Sequence, residues 1–155
     1  MTSTIKASTL KVTITEEIKL KESTKVTNTL SIGSINETSK RIVTVPTSEV
    51  EIIAMSTAVS SGTFVESAVK YIRITNLDDT NHVSLTFKSE DNDEFAVKLD
   101  YGQSFIYNGD LSGGVVDTMD AIDGTGLTIS LGDLVNITAL ADTASCDLEI
   151  FVAST

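Results

Sequence analysis

Few residues of this chain carry groups that do chemistry, because its 155 residues include one His, one Cys and no Trp. A Ser-His-Asp triad would have to use His82, which lies in a stretch rich in Asp and Asn and is expected to be a loop residue. Cys146 has no second Cys for a disulfide or a zinc site, so we expect a small buried apolar side chain. Two glycine-rich motifs that bind phosphate groups, the Walker motif and the dinucleotide-binding pattern, are both missing from the sequence. These features predict a protein that is not an enzyme and has no cofactor.

One acidic stretch could bind a cation. Asp117, Asp120 and Asp123 precede Gly124 in a glycine-rich segment, and carboxylate oxygens are the ligands that calcium selects. Their spacing of three differs from the alternate positions of an EF-hand loop. Two interpretations stay open, a weak calcium site or a solvated acidic loop, and we favour the loop.

The elements that would position these residues are strands, because apolar residues alternate with polar ones along most of the chain. No helical periodicity of ten residues separates the alternating runs. The pattern predicts an all-β protein, an antiparallel β-sandwich of jelly-roll-like form with about ten short strands. Strands are predicted at 10–20, 26–32, 41–45, 50–55, 71–77, 83–88, 95–99, 104–107, 127–131, 134–139 and 148–153, while 56–69 stays undecided between loop and distorted strand.

The domain organisation follows from the same pattern. Residues 1–9 are polar and are predicted to be an N-terminal tail or arm, and residues 10–155 a single β-sandwich domain. Neither a signal-peptide stretch nor about 18 consecutive apolar residues occurs, so we expect synthesis in the cytoplasm and no membrane span.

The net charge of −11 is unevenly distributed. Residues 1–41 carry seven basic and four acidic side chains, residues 42–98 four and nine, and residues 99–155 none and nine. A chain this acidic is not expected to bind nucleic acid. The basic first third could pair with the acidic last third of its own chain, which we favour, or with the acidic surface of a neighbouring copy.

Three segments carry a resemblance to a known group of proteins. Residues 71–77 end a strand in Asn, 83–87 form the next strand, and 95–105 contain a Leu-x-x-Gly-x-Ser-Phe corner. Together they resemble small β-sandwich virion proteins of tailed bacteriophages, although Tyr101 stands where a Pro often precedes the Gly. The resemblance implies a non-enzymatic building block of a capsid surface, tail or fibre, present in many copies in the virion.

This resemblance leads to a functional expectation. The first hypothesis is a capsid decoration or cement protein that binds the major capsid protein or another virion protein and forms a homo-oligomer, with a trimer favoured. The alternatives are a tail or fibre-base component and an extracellular carbohydrate-binding or adhesin module. The candidate contact residues are the basic side chains near the N-terminus, Lys6, Lys11, Lys19, Lys21 and Lys25.

Overall fold

The computed structural model describes residues 5–117 and 129–155, and every regular element in these ranges is a strand. The fold is all-β, as the sequence predicts. The strands are β1 (Ser8–Lys19), β2 (Ser23–Ile35), β3 (Glu37–Val45), β4 (Val50–Ser56), β5 (Phe64–Val65), β6 (Val69–Asn76), β7 (Val83–Ser89), β8 (Glu94–Leu99), β9 (Ser104–Tyr107), β10 (Leu134–Ala141) and β11 (Cys146–Ser154).

Two sheets form a β-sandwich, which we call the body. One has the order β5-β4-β10-β7-β8 and the other β3-β11-β6-β9, and all pairs are antiparallel except β4 with β5. Alternate residues of each strand point into the space between the sheets, so that Leu85, Ile137, Ile74 and Leu148 are fully buried together. The core therefore lies between the two sheets.

The remaining two strands project from the body as a separate hairpin, which we call the arm. β1 and β2 pair antiparallel from Lys19–Ser23 at the tip to Ser8–Ile35 at the base, and neither pairs with any other described strand. With 12 residues in β1, the arm is about 40 Å long. No described segment is a helix long and apolar enough to cross a membrane.

The strand predictions agree with the structure except at two places. Residues 129–131 of the predicted strand 127–131 are not in a strand, and residues 127 and 128 lie outside the described ranges; Val116 pairs with Gly132 in an isolated bridge instead. Residues 10–20 and 26–32 do form strands, but they belong to the arm, whereas the sandwich begins with β3. The undecided segment 56–69 begins with the last residue of β4, ends with the first residue of β6 and contains only the short β5 between them.

A buried asparagine holds the corner that carries the sequence resemblance. The Asn76 side chain is fully buried; its amide donates to the carbonyl oxygens of Asn81 (2.9 Å) and Leu99 (3.2 Å), and its oxygen accepts from the Asp78 amide (3.0 Å). Gly102, at φ +69°, donates its N–H to the Asn76 carbonyl (3.0 Å). The residue thus joins the β6–β7 link to the β8–β9 turn.

We expect Asn76→Ala to lower the free energy of unfolding by about 3 kcal/mol, because buried polar groups lose their partners at about 1–3 kcal/mol each. Urea denaturation measures the change. Asn108→Ala, at an exposed position, is the control and should leave the unfolding midpoint unchanged. Equal midpoints for the two variants would contradict this role of Asn76.

After β9, the backbone at Gly114 approaches the backbone at Leu131 closely. A side chain on Gly114 would place its Cβ 2.1 Å from the carbonyl oxygen of Leu131, whereas a Cβ on Gly113 would meet nothing within 4 Å. Both glycines have positive φ, +87° and +85°. Gly114 therefore permits the approach that lets the Val115 and Val116 amides reach the Gly132 carbonyl.

We expect Gly113→Ala to cost about 1–2 kcal/mol, the penalty for left-handed backbone. Gly114→Ala carries the same penalty and also forces the two backbone segments apart, so its melting temperature should be lower than that of Gly113→Ala. Thermal unfolding followed by circular dichroism compares the two variants. A Gly114 variant as stable as the Gly113 variant would show that the close approach is not required.

Candidate functional site

The arm has two faces of opposite character. Residues that pair across the hairpin share a face. Along the arm, pairs on one face, such as Leu10–Ile32 and Val12–Leu30, alternate with pairs on the other face, such as Thr13–Thr29. The mainly apolar face, which we call the apolar face, carries Leu10, Val12, Ile14, Ile18, Val26, Leu30 and Ile32, together with Glu16, Thr24 and Asn28. The polar face carries only hydrophilic side chains: Lys11, Thr13, Thr15, Glu17, Lys19, Ser23, Lys25, Thr27, Thr29 and Ser31.

The base of the apolar face packs on the outer surface of the sheet β3-β11-β6-β9. Leu10 and Val12 lie against a buried cluster that includes Ile35, Tyr71 and Ala153. The rings of Tyr71 and Phe151 meet edge to face with centroids 5.9 Å apart. This contact attaches the arm to the body and leaves the outer half of the apolar face beyond it.

A chain of polar contacts crosses the same sheet surface next to the base of the arm. Glu149 on β11 accepts from Arg73 on β6 (2.6 Å) and pairs with Lys40 on β3 (3.4 Å). Arg73 also donates to Thr75 (2.6 Å), whose hydroxyl lies 2.7 Å from that of Ser104 on β9. The network thus connects all four strands of the sheet.

A groove of about 340 Å³ separates the arm from this surface. Val12 and Ile14 line it on the arm side, and Tyr71, Arg73 and Phe151 line it on the sheet side. Its walls are apolar apart from the guanidinium group and the edge of the arm. The arrangement suits the packing of protein side chains and holds no set of catalytic groups.

The structure places the five predicted contact lysines on or beside the arm, all of them exposed. Lys11, Lys19 and Lys25 lie on the polar face, Lys21 lies in the link at the tip, and Lys6 precedes β1. Within the described residues, Lys19 pairs only with Glu17 of its own strand (3.7 Å) and the other four form no ion pair. The favoured pairing of the basic first third with the acidic last third of the same chain is seen at Lys40, which pairs with Glu149 (3.4 Å), whereas none of the five candidate lysines takes part in it within the described ranges.

The calcium candidate is only partly described. Asp117 accepts a hydrogen bond from the Ser130 amide (2.7 Å), and Asp120 and Asp123 lie outside the described residues. Among residues 5–117 and 129–155, no group of three or more His, Cys, Asp or Glu side chains is placed to hold a metal ion.

The single His and the single Cys, which the sequence offers for chemistry, are characterised by their contacts and burial. His82 lies in the link between β6 and β7, and its Nδ1 is 3.7 Å from the carboxylate of Asp142, which follows β10. Cys146 is buried as predicted, and burial raises the pKa of its thiol, which lowers its reactivity.

Sequence reasoning identified the lysines but missed the surface to which the arm attaches. Tyr71, Arg73 and Phe151 lie on the outward side of their strands, where the alternation predicts solvent exposure. The available signal was the bulky apolar character of Tyr71 and Phe151 at positions expected to be polar.

A search of protein-family models gives no match to this chain, and a search of curated proteins gives no significant match.

The network predicts a pH effect. The hydrogen bond from Arg73, reinforced by Lys40, lowers the pKa of Glu149 below its ordinary value of 4.5. A carboxylate with a lowered folded-state pKa stabilises the fold above its unfolded-state pKa, and this contribution is lost as the pH falls through the folded-state value. Glu149→Gln should therefore be less stable than the wild type at neutral pH, and the difference should shrink below pH 4.5.

Urea midpoints measured from neutral to acidic pH test this expectation. Glu16→Gln, which removes an exposed glutamate of the arm, is the control and should follow the wild-type profile. A difference between Glu149→Gln and the wild type that stays constant with pH would contradict the assignment.

Proposed function

We propose that this chain is a non-enzymatic structural protein of a bacteriophage virion, a decoration or cement protein that binds the outer capsid shell and stabilises it. The observation that carries the proposal is the arm, a two-stranded projection from a β-sandwich. Its polar face presents Lys11 and Lys25, which form no ion pair with any described residue, and Lys19, which pairs only with Glu17 of its own strand. A projecting ribbon can reach a neighbouring protein that the body does not touch. Its basic and apolar side chains suit binding to another protein.

The strand order supports the proposal. Without the two-residue β5, the sheets read β4-β10-β7-β8 and β3-β11-β6-β9. Among these eight strands, the first in chain order pairs with the last, the second with the second-last, and so on inward. The hydrogen-bonded pairs are β3 with β11, β4 with β10, β6 with β9 and β7 with β8. This pairing fits an eight-stranded jelly roll, an architecture found in viral capsid proteins as well as in lectins and cupins. Because a fold by itself does not define a function, the arm carries the assignment.

The binding mechanism is electrostatic attraction added to a modest buried surface. Lys11, Lys19 and Lys25 on the polar face would approach acidic groups of the shell, and repetition over the capsid lattice would strengthen a weak individual contact. Binding of this kind weakens as salt is added, because exposed charges are screened.

Co-sedimentation with shells that lack the protein tests the proposal. We expect the triple variant Lys11→Gln, Lys19→Gln and Lys25→Gln to bind about tenfold more weakly, since three exposed pairs at about 0.5 kcal/mol each amount to roughly 1.5 kcal/mol. The matched control changes the same three lysines to Arg, which keeps the charge and should keep the binding.

Two results would overturn the proposal. Binding to purified tails and not to shells would favour a tail or fibre-base component. Calcium-dependent retention on immobilised glycans, with no binding to either particle, would favour a carbohydrate-binding module.

A further inference from the structure

We propose that Asn108 and Gly109 form a site of spontaneous covalent modification, at which the Asn108 side chain is converted to aspartate and isoaspartate through a cyclic imide. The site lies in the loop that follows β9. The proposal goes beyond the proposed function and does not depend on it.

The sequence places its single Asn-Gly pair at this position. Seven Asn residues occur in the chain, and Asn108 alone is followed by Gly. Because glycine has no Cβ, its backbone is unhindered and reaches conformations that other residues rarely adopt. The peptide nitrogen of Gly109 can therefore approach the carbonyl carbon of the Asn108 side chain.

The structure leaves both reacting groups free. Asn108 is exposed and lies one residue beyond the end of β9 at Tyr107. Among the described residues, neither the Gly109 N–H nor the Asn108 side-chain amide has a hydrogen-bond partner. A β-ladder would hold the peptide nitrogen in place, and the ladder between β6 and β9 stops at the pair Ile72–Tyr107, before the site begins.

Asn92 shows the opposite situation. It is also exposed, in the turn between β7 and β8. The peptide nitrogen that follows it belongs to Asp93 and donates to Ser89 Oγ (3.1 Å). The corresponding nitrogen is thus engaged at Asn92 and free at Asn108, so Asn92 serves as a control within the same molecule.

The reaction needs only water as a reactant. The Gly109 nitrogen loses its proton to solvent and attacks Cγ of Asn108. The new N–Cγ bond closes a five-membered ring, while the Cγ–Nδ2 bond breaks and ammonia leaves with a proton from solvent. Water then opens the ring at one of its two carbonyl carbons, which gives aspartate or isoaspartate. No oxidant or reductant takes part, and the dipeptide itself supplies the proximity of the two groups.

The modification alters a loop that is held on both sides. Before the site, Tyr107 pairs with Ile72; after it, the Asp110 carboxylate binds Lys70 (2.8 Å) and the Ser112 amide (3.0 Å). Isoaspartate adds a methylene group to the backbone between these anchors, and either product adds a negative charge to an already acidic chain.

Incubation of the folded full chain at mildly alkaline pH, followed by proteolysis and mass spectrometry, tests the proposal. We expect the peptide that contains residue 108 to gain the mass of an amide-to-acid conversion and to separate into an aspartate and an isoaspartate form. The rate should rise with pH, because the deprotonated peptide nitrogen is the nucleophile.

Two variants supply matched controls. In Gly109→Ala the new Cβ would lie 3.6 Å from the nearest atom of the Tyr107 ring, an ordinary contact, so the variant should fold. We expect its conversion to be about tenfold slower, since a Cβ restricts the backbone at the attacking nitrogen. Asn108→Gln keeps the amide but would have to close a six-membered ring, and it should stay unmodified.

Absence of conversion at residue 108 in the folded chain would overturn the proposal, and conversion of the same chain in urea would then show that the fold prevents the reaction. Equal rates at Asn108 and Asn92 would overturn it as well, because the free peptide nitrogen would not be the cause. Equal rates in the wild type and Gly109→Ala would have the same meaning for the glycine.

Discussion

A β-sheet with one apolar face has to cover that face, and this constraint governs the whole molecule. In the body, two sheets cover each other and bury alternate residues along most of their strands. In the arm, a single two-stranded sheet has the same alternation, and among the described residues it reaches the body at its base, at Tyr71 and Ala153. The body is therefore complete as a folded unit, whereas the outer arm retains an apolar surface that water disfavours.

The same constraint explains how much of the fold could be predicted. Period-two alternation located nearly all the strands, because burial of one face requires it wherever a strand packs. It could not separate arm from body, since Ile14 and Ile18 alternate just as the fully buried Leu85 does. Alternation indicates that one face of a strand is apolar and has to be buried. Which element packs on that face depends on contacts between residues that are distant in sequence.

The irregular segments show a second limit of sequence reasoning. Residues 127–131 have the alternation of a strand, yet Leu131 instead supplies a backbone carbonyl to the close approach at Gly114. The corner at Asn76 was visible in the sequence as a pattern of residue types. Its physical cause, one side chain that joins two links, is seen only in the three-dimensional structure. The lysines are exposed and their role as contact residues stays a prediction, while Arg73 was overlooked because its partner, Glu149, lies 76 positions away.

The two faces of the arm lead to a structural argument about how one face could prepare the other for binding. Successive residues of a strand point to opposite sides, so Lys11 and Val12 are chain neighbours that meet different surroundings. The packing of Leu10 and Val12 on the body holds the base of the arm and, by ordering it, fixes the position of Lys11 on the other side. Ordering in advance reduces the entropy that a later contact must lose, so attachment through one face would strengthen binding through the other without any change in the residues that bind.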